Sequence, residues 1–166
     1  MELVFYPDPV LQRRAEDADP SRNDLRALAE GMLGVMHDNQ GVGLAAPQIG
    51  EGLRLFVASD TGERDGAVVC VNPHVEPFGP VVALEEGCLS VPGFRTMIRR
   101  PEGVRVRFWG LDGIERSEEY HELLARIIQH EADHLDGVLF FERMTESDRL
   151  QCRPHLKALE EQYRPR

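Results

Sequence analysis

The sequence predicts an α+β domain in which antiparallel or mixed β-sheets wrap around one central metal-binding helix. Five short apolar or alternating runs predict strands, at 53–59, 67–72, 81–84, 104–109 and 114–120. Asp112-Gly113, between the last two runs, is a typical hairpin turn. All five runs precede a helical segment at 127–137 that carries two histidines. A sheet that packs around that helix is therefore the simplest architecture.

Helical spacing predicts one helix before the strands and one after the histidines. Ser21 and Asp24 resemble a capping box, and apolar residues then recur at helical spacing to about Asn39. The last helix should begin near Thr145, and Pro154 should kink or restart it. The segment 41–50 is too rich in glycine for a helix and unusually apolar for a surface loop. We expect its backbone to approach a ligand closely.

Length and composition predict a single domain that spans residues 1–166. The hydrophobic fraction of 42% and the charged fraction of 29% are ordinary for a globular protein. A net charge of −10 argues against bulk binding to nucleic acid or to an anionic membrane. No apolar run approaches the roughly 20 residues of a membrane span. We therefore expect a cytoplasmic protein, and we expect it to be a monomer.

Three cysteines cannot all pair with one another, which favours reduced thiols. Cys70 lies in a short apolar strand and is expected in the core. Cys152 lies in a charged segment, and no role is assigned to it. Cys88 is a candidate metal ligand because of its neighbours, described below.

The helical segment at 127–137 has the spacing of a divalent-metal site. His130 and His134 are four residues apart, so on a helix both imidazoles can point at one ion. Glu131, between them in sequence, suits a general base acting on water at the metal. Gly137 is a plausible helix cap. The competing interpretation is that both histidines are hydrogen-bonded core residues. Two buried rings are harder to provide with hydrogen-bond partners than one.

The third ligand is not on this helix. One metalloprotease pattern, H-E-x-x-H-x-x-G-x-x-H, is followed through Gly137, but Phe140 stands where its third histidine should be. Cys88 would complete a Cys-His-His set with the fourth position open, as a catalytic site requires. Two alternatives remain: a zincin-type peptidase that uses Glu142 or Glu146 as third ligand, and a catalytically silent protein with a structural metal.

Three stretches together resemble the peptide deformylase family. The glycine-rich G-x-G-x-A-A-x-Q signature matches residues 41–48, the E-G-C-x-S signature matches 86–90, and the H-E-x-x-D-H signature matches 130–134 with one residue fewer between its ends, as H-E-x-x-H. They occur in the family's order. The resemblance implies an α+β fold with antiparallel sheets around a central helix. It also implies removal of the N-formyl group from nascent polypeptides that begin with formylmethionine, which gives formate and a free amino terminus.

The resemblance also implies a role for individual residues. Cys88, His130 and His134 would bind one divalent metal ion per chain, Fe²⁺ in the cell and Zn²⁺, Ni²⁺ or Co²⁺ in a purified sample. Glu131 would move the proton, and the Gln48 side chain and the Leu89 backbone N–H would stabilise the oxyanion. If iron is the native metal, air should inactivate the enzyme.

The family's methionine pocket maps onto seven positions, Val42, Gly43, Leu84, Glu86, Leu123, Arg126 and Ile127. Arg126 stands where the resemblance implies an apolar residue. We expect its methylenes to lie along the pocket and its guanidinium to reach solvent. On that basis Arg126→Ile should tighten binding of formyl-Met peptides. The alternative is that Arg126 selects a polar or acidic group in the substrate. Arg95 is expected to pair with a nearby carboxylate such as Glu86.

The C-terminal segment 149–166 holds five basic and two acidic residues within an acidic chain. Some members of the resembled family dock on the ribosome through a C-terminal helix, so the segment is a candidate ribosome contact. A solvated charged surface is the competing interpretation.

Overall fold

A computed structural model describes residues 1–164, in which five antiparallel strands form one sheet in chain order. The strands are β1 (Gly43–Ala45), β2 (Leu55–Ala58), β3 (Val68–Cys88), β4 (Val91–Trp109) and β5 (Glu115–His121). Each strand pairs with its neighbours in sequence. The predicted α+β class and antiparallel sheet are confirmed.

The predicted strands at 67–72 and 81–84 are parts of one strand, β3, rather than two. Pro77 and the Gly79-Pro80 pair lie between the two predicted runs. The strand passes through this stretch, with register shifts between Val71 and His74 and between Phe78 and Val81. β3 and β4 therefore form one long ribbon whose tip is the two-residue turn Leu89-Ser90.

Three α-helices accompany the sheet: α1 (Leu25–Asp38), α2 (Glu122–Leu135) and α3 (Glu146–Gln162). The capping box predicted for α1 is wrong, because Asp24 precedes the helix without a side-chain cap. Ser21 instead donates its backbone N–H and its hydroxyl to Asp19, at 2.9 and 2.7 Å. This local turn uses both groups of Ser21 before the helix begins.

α3 begins as predicted, with the Thr145 hydroxyl accepting the Asp148 N–H at 3.2 Å. Pro154 lies inside one continuous helix, so the expectation that it restarts the helix is wrong. The carbonyl that loses its partner belongs to Leu150. Leu150 is 55% exposed, so water can reach that part of the helix.

α2 is the central helix, and nearly all of its residues from Ala125 onward are buried. It ends in a Schellman motif: Gly137 donates to the His134 carbonyl at 3.2 Å, and Val138 donates to the Asp133 carbonyl at 2.9 Å. Gly137 has a φ of 72°, and a Cβ there would lie 2.8 Å from the Gln12 backbone. The chain can therefore close the metal helix against the segment at Gln12 only with glycine at this position.

The core lies between α2 and the sheet, with Phe56, Val106 and Ile128 among its fully buried side chains. Cys70 is buried in this core, as predicted. Phe140 and Phe141 pack into a second cluster with α3, and Cys152 belongs to it. Within residues 1–164, no helix has the length and apolar character needed to span a membrane.

Candidate metal centre

One thiol and two imidazoles converge between α2 and the tip of the β3–β4 ribbon. The ligand atoms of Cys88, His130 and His134 all lie within 4.8 Å of one another. The Cys88 Sγ atom is 3.3 Å from His134 Nε2. Two turns of one helix supply the histidines, and the end of β3 supplies the cysteine. Ligand atoms of this kind at this separation fit a tetrahedral divalent metal with one position left for another ligand.

The two histidines differ in protonation state. Although burial opposes it, hydrogen bonds with Cys88 and Glu86 raise the pKa of His130 well above its usual value, so metal binding at His130 would release a proton. His130 Nδ1 lies 3.0 Å from Glu86 Oε2, so this nitrogen can donate while Nε2 faces the other ligands. Burial lowers the pKa of His134 well below its usual value, which keeps that ring neutral as a ligand must be. His134 Nδ1 is buried and makes no hydrogen bond among the described residues. The residues present therefore fit a metal, with one imidazole oriented by a carboxylate.

The two acids weighed as alternative third ligands lie outside this cluster. Glu142 accepts the Leu139 N–H at 2.9 Å, at the start of the short 3₁₀ helix Phe140–Arg143. Glu146 is an exposed residue at the start of α3. Neither observation favours the zincin-type arrangement.

Glu131 is the buried carboxylate beside the candidate ligands. Its side chain is 4% exposed, and Oε2 has no hydrogen-bond partner among the described residues. Burial raises the pKa of Glu131 to about 7. Gly43 at the start of β1 passes so close that a Cβ there would lie 2.3 Å from Glu131 Oε1. A carboxyl group that is buried, unpaired and near neutrality in pKa can both accept and return a proton.

Gln48 lies next to the cysteine rather than in an exposed loop. Its side chain is 1% exposed, and its Oε1 accepts the Ala45 N–H at 2.8 Å. Its Nε2 donates to Ser90 Oγ at 3.3 Å and lies 3.5 Å from Cys88 Sγ. The amide N–H₂ group is therefore held at the candidate metal centre. The contribution of Ser90, fully buried, was missed, although the E-G-C-x-S signature contains it.

A buried network of charges surrounds Glu86. Arg100 donates to both Glu86 oxygens, at 2.7 and 3.1 Å, and also to Asp133 at 2.9 Å. Arg143 pairs with the other side of Asp133 at 2.7 Å. Although burial opposes it, hydrogen bonds from His130 and Arg100 lower the pKa of Glu86 to about 2. Sequence reasoning missed Arg100 and Asp133; the aspartate is the D of the H-E-x-x-D-H signature.

Arg126 also belongs to this network, so the expectation that its guanidinium reaches solvent is wrong. Arg126 is 6% exposed. It donates to Glu86 Oε1 at 2.7 Å, to the Ile98 carbonyl at 2.9 Å and to the Val82 carbonyl at 2.5 Å. A buried guanidinium needs such acceptors because water cannot solvate it. Arg95, expected to pair with Glu86, pairs instead with the exposed neighbour Glu85 at 2.8 Å.

A cleft of about 760 Å³ opens over the cluster and contains six of the seven predicted pocket positions. These are Val42, Gly43, Glu86, Leu123, Arg126 and Ile127. Leu84 does not line it, because the wall that β3 contributes begins at Glu85; Leu84 is 45% exposed on the ribbon. Leu3 and Phe5 from the N-terminal segment do line the cleft, and no sequence motif indicated them.

The polypeptide deformylase family model matches residues 1–150 of the chain. Among curated proteins, the chain is 39% identical over 166 residues to peptide deformylase 1B, chloroplastic/mitochondrial, of Arabidopsis thaliana. That alignment covers 98% of the chain and 61% of the relative, so the chain spans about three fifths of that plant protein's length. It is 37% identical to a peptide deformylase of Rhodopirellula baltica, over 98% of the chain and 82% of the relative.

Solved structures give the same result. The crystal structure of Arabidopsis thaliana peptide deformylase 1B, in complex with an inhibitor, matches with a TM-score of 0.93 and 40% identity. The match covers 98% of this chain and 92% of the other. At 40% identity, the two proteins share sequence as well as fold.

Proposed function

Because the chain belongs to the peptide deformylase family, we propose that it hydrolyses the N-formyl group of polypeptides that begin with formylmethionine. The products are formate and a free amino terminus. The observation that carries the proposal is the convergence of Cys88, His130 and His134 within 4.8 Å beside the buried Glu131. The retained carboxylate favours a catalytic over a purely structural metal site, since a structural site needs no base.

The candidate metal ligands, Glu131 and the two proposed oxyanion donors each have a part in this reaction. A divalent metal held by Cys88, His130 and His134 would acidify water and polarise the formyl carbonyl. Glu131 accepts a proton as water attacks the formyl carbon and returns it to the departing amine. The Gln48 side-chain amide and the Leu89 backbone N–H donate to the oxyanion that develops. Removal of one such donor typically costs about 100- to 1,000-fold in rate.

The cleft suits a methionine side chain next to the formyl group. Val42, Leu123 and Ile127 supply apolar surface along one wall, and Gly43 leaves room for a substrate backbone. The Arg126 guanidinium lies 2.7 Å from the Glu86 carboxylate, which also pairs with Arg100. The substrate therefore meets a paired charge at this wall rather than a free guanidinium.

The identity of the metal is a finer proposal. A set of one thiolate and two imidazoles is compatible with Fe²⁺ and Zn²⁺, and also with Ni²⁺ or Co²⁺. We propose Fe²⁺ as the metal in the cell, on the resemblance to the family. Loss of activity in air from an anaerobically prepared iron form, with a stable zinc form as reference, supports this choice. Equal activity of the two forms after exposure to air contradicts it.

Three further proposals concern the setting of the reaction. We propose that the protein acts in the cytoplasm as a monomer, although the Arabidopsis relative is named chloroplastic/mitochondrial.

We also propose that the segment 149–166 contacts the ribosome through its basic residues. Its apolar residues Cys152, Leu156 and Leu159 pack inward, which leaves the charged side chains of α3 outward. Positions 165 and 166 of this segment lie outside the described residues.

Formate release from formyl-Met-Ala-Ser by the purified, metal-loaded protein tests the proposed function. We expect release by the wild type and its loss in Glu131→Ala. The matched control is Glu122→Gln, which changes an exposed carboxylate at the start of the same helix and should keep full activity. A wild-type protein that binds metal at Cys88 but releases no formate would sink the proposal.

A further inference from the structure

The N-terminal segment Leu3–Tyr6 connects the two chain segments that carry the proposed oxyanion donors. The Val4 N–H donates to the Gln48 carbonyl at 2.8 Å. The Tyr6 N–H donates to the Ser90 carbonyl at 2.9 Å. Gln48 lies in the 3₁₀ helix Ala46–Ile49, and Ser90 lies in the turn of the β3–β4 ribbon. A further direct link between the two segments is the Gln48 side chain, whose Nε2 lies 3.3 Å from Ser90 Oγ and 3.5 Å from Cys88 Sγ.

The two backbone bonds come from residues only two apart. One short stretch of backbone therefore ties the Gln48 carbonyl to the Ser90 carbonyl. Leu89, whose N–H is the second proposed donor, is the residue immediately before Ser90. Any shift of either carbonyl would move one donor relative to the other.

The segment is itself fixed from the other side by α3. The Phe5 ring stacks on Tyr163 with centroids 4.6 Å apart. The Tyr6 hydroxyl donates to Glu160 Oε1 at 2.5 Å, and the Tyr6 ring meets Phe141 edge to face at 5.2 Å. The backbone of the segment is hydrogen-bonded to Gln48 and Ser90, and the Phe5 and Tyr6 rings pack against Tyr163 and Phe141. The segment therefore cannot shift freely. Its position is thus determined by the fold and not by the substrate.

We propose that Leu3–Tyr6 is a positioning segment, which sets the geometry of Gln48 and Leu89 through the Val4 and Tyr6 backbone bonds. The expected effect on kcat rests on the proposed function. The expected effect on the positions of Gln48 and Leu89 does not. The segment does not bind metal and does not touch the reacting atoms. Its loss should therefore lower kcat without changing the metal content. Because Leu3 and Phe5 also line the cleft, KM should change as well, but by a smaller factor than kcat.

The substitution Val4→Pro tests this directly, because it deletes the N–H that binds the Gln48 carbonyl. Its matched control is Val4→Ala, which removes most of the side chain and keeps the N–H. We expect kcat to fall by about 10- to 100-fold in Val4→Pro, as for misplacement of a donor by up to 1 Å. Val4→Ala should stay close to wild type. In a Gln48→Ala background, Val4→Pro should lose most of its effect, because the residue it positions is no longer there.

Hydrogen exchange gives a second readout that does not depend on activity. We expect amides in residues 46–51 and 88–91 to exchange faster in Val4→Pro than in Val4→Ala, with α1 unchanged in both. Unchanged exchange in those two stretches overturns the proposal, as does a kcat loss that is fully retained in the Gln48→Ala background. If the wild type releases no formate, the proposed function fails. The exchange result still tests whether the segment holds residues 46–51 and 88–91 in place.

If Val4→Pro fails to fold, Tyr163→Ala replaces it. That substitution removes the aromatic contact to Phe5 at the end of α3 and leaves the segment's own sequence intact. The same faster exchange at 46–51 and 88–91 is expected, with a smaller loss of kcat. Protection as in the wild type would overturn the proposal.

Discussion

His130 Nδ1 lies 3.0 Å from Glu86 Oε2, and the same carboxylate is held by Arg100 and Arg126. A candidate metal ligand is thereby oriented by a carboxylate that His130 itself and the buried Arg100 guanidinium keep ionised. The low pKa of Glu86, about 2, means that this carboxylate stays an acceptor throughout the neutral range. Glu86 thus links the metal site to the charge network of the core.

Glu86→Gln should weaken metal binding and destabilise the protein together. Loss of such a supporting partner typically costs about 10- to 100-fold in metal affinity. Arg100 and Arg126 would also lose a buried counter-charge, which costs about 3–5 kcal/mol when one partner of a buried pair is removed. Competition with a chelator measures the affinity, and denaturant unfolding measures the stability.

Glu85→Gln is the matched control, because Glu85 is the adjacent residue and pairs with Arg95 at the surface. Exposed ion pairs contribute at most about 1 kcal/mol. Its metal affinity should equal that of the wild type. Equal effects of the two substitutions would contradict a special role for Glu86.

Arg126→Ile should lower the free energy of unfolding rather than simply improve the pocket. The guanidinium donates to Glu86 and to the carbonyls of Ile98 and Val82. An isoleucine would remove one ion-pair partner of Glu86, which keeps Arg100 and His130, and would remove a donor to the Ile98 and Val82 carbonyls. The broken buried ion pair alone costs about 3–5 kcal/mol. Thermal unfolding together with KM for formyl-Met-Ala-Ser tests this. The exposed neighbour of the network, Arg99, provides the control Arg99→Ala.

The case of Arg126 illustrates what the sequence could and could not predict. His130, Glu131 and His134 could be placed on one helix because their spacing obeys helical geometry. Cys88, forty-two residues away from His130, could be proposed only as the residue that completes a Cys-His-His set, and the resemblance supported that choice. The partners of Arg126 lie on β3 and β4. No local pattern says which strand packs against which turn of α2.

The errors in the fold have a similar origin. The sequence predicted separate strands at 67–72 and 81–84, but pairing with β4 on both sides of Gly79-Pro80 makes them one strand. Pro154 did not end α3, because burial of Cys152, Leu156 and Leu159 favours a continuous helix on both sides of it. The N-terminal contacts to Gln48 and Ser90 use only backbone groups, which leave no mark on residue identity.

Gly43→Ala should greatly reduce activity with little effect on metal content. A Cβ at this position would lie 2.3 Å from Glu131 Oε1 and 2.8 Å from Ile127 Cγ2. Because Glu131 is buried, its carboxylate can move only by leaving its place beside the ligands. A misplacement of about 1 Å costs about 100-fold in rate. Formate release and metal content, measured on the same preparation, separate the two effects.

Gly52→Ala is the control, because a Cβ there meets no atom within 4 Å and its φ is not positive. It should behave as the wild type in both measurements. If Gly43→Ala kept full activity, the close approach of β1 to Glu131 would have no part in the reaction.

Metal removal should lower the melting temperature of the wild type and leave Cys88→Ala unaffected. A ligand present at about 1,000 times its Kd stabilises the folded state by about 4.1 kcal/mol, and a chelator abolishes that term. If Cys88 is the third ligand, Cys88→Ala has lost tight metal binding already, so the chelator has nothing to remove. Cys152→Ser, a change at a thiol that faces Met144 and lies outside the cluster, should respond to the chelator as the wild type does. If the chelator still lowered the melting temperature of Cys88→Ala, the result would indicate Glu142 or Glu146 as the third ligand. It would then contradict the structure, in which neither acid belongs to the cluster with the two imidazoles.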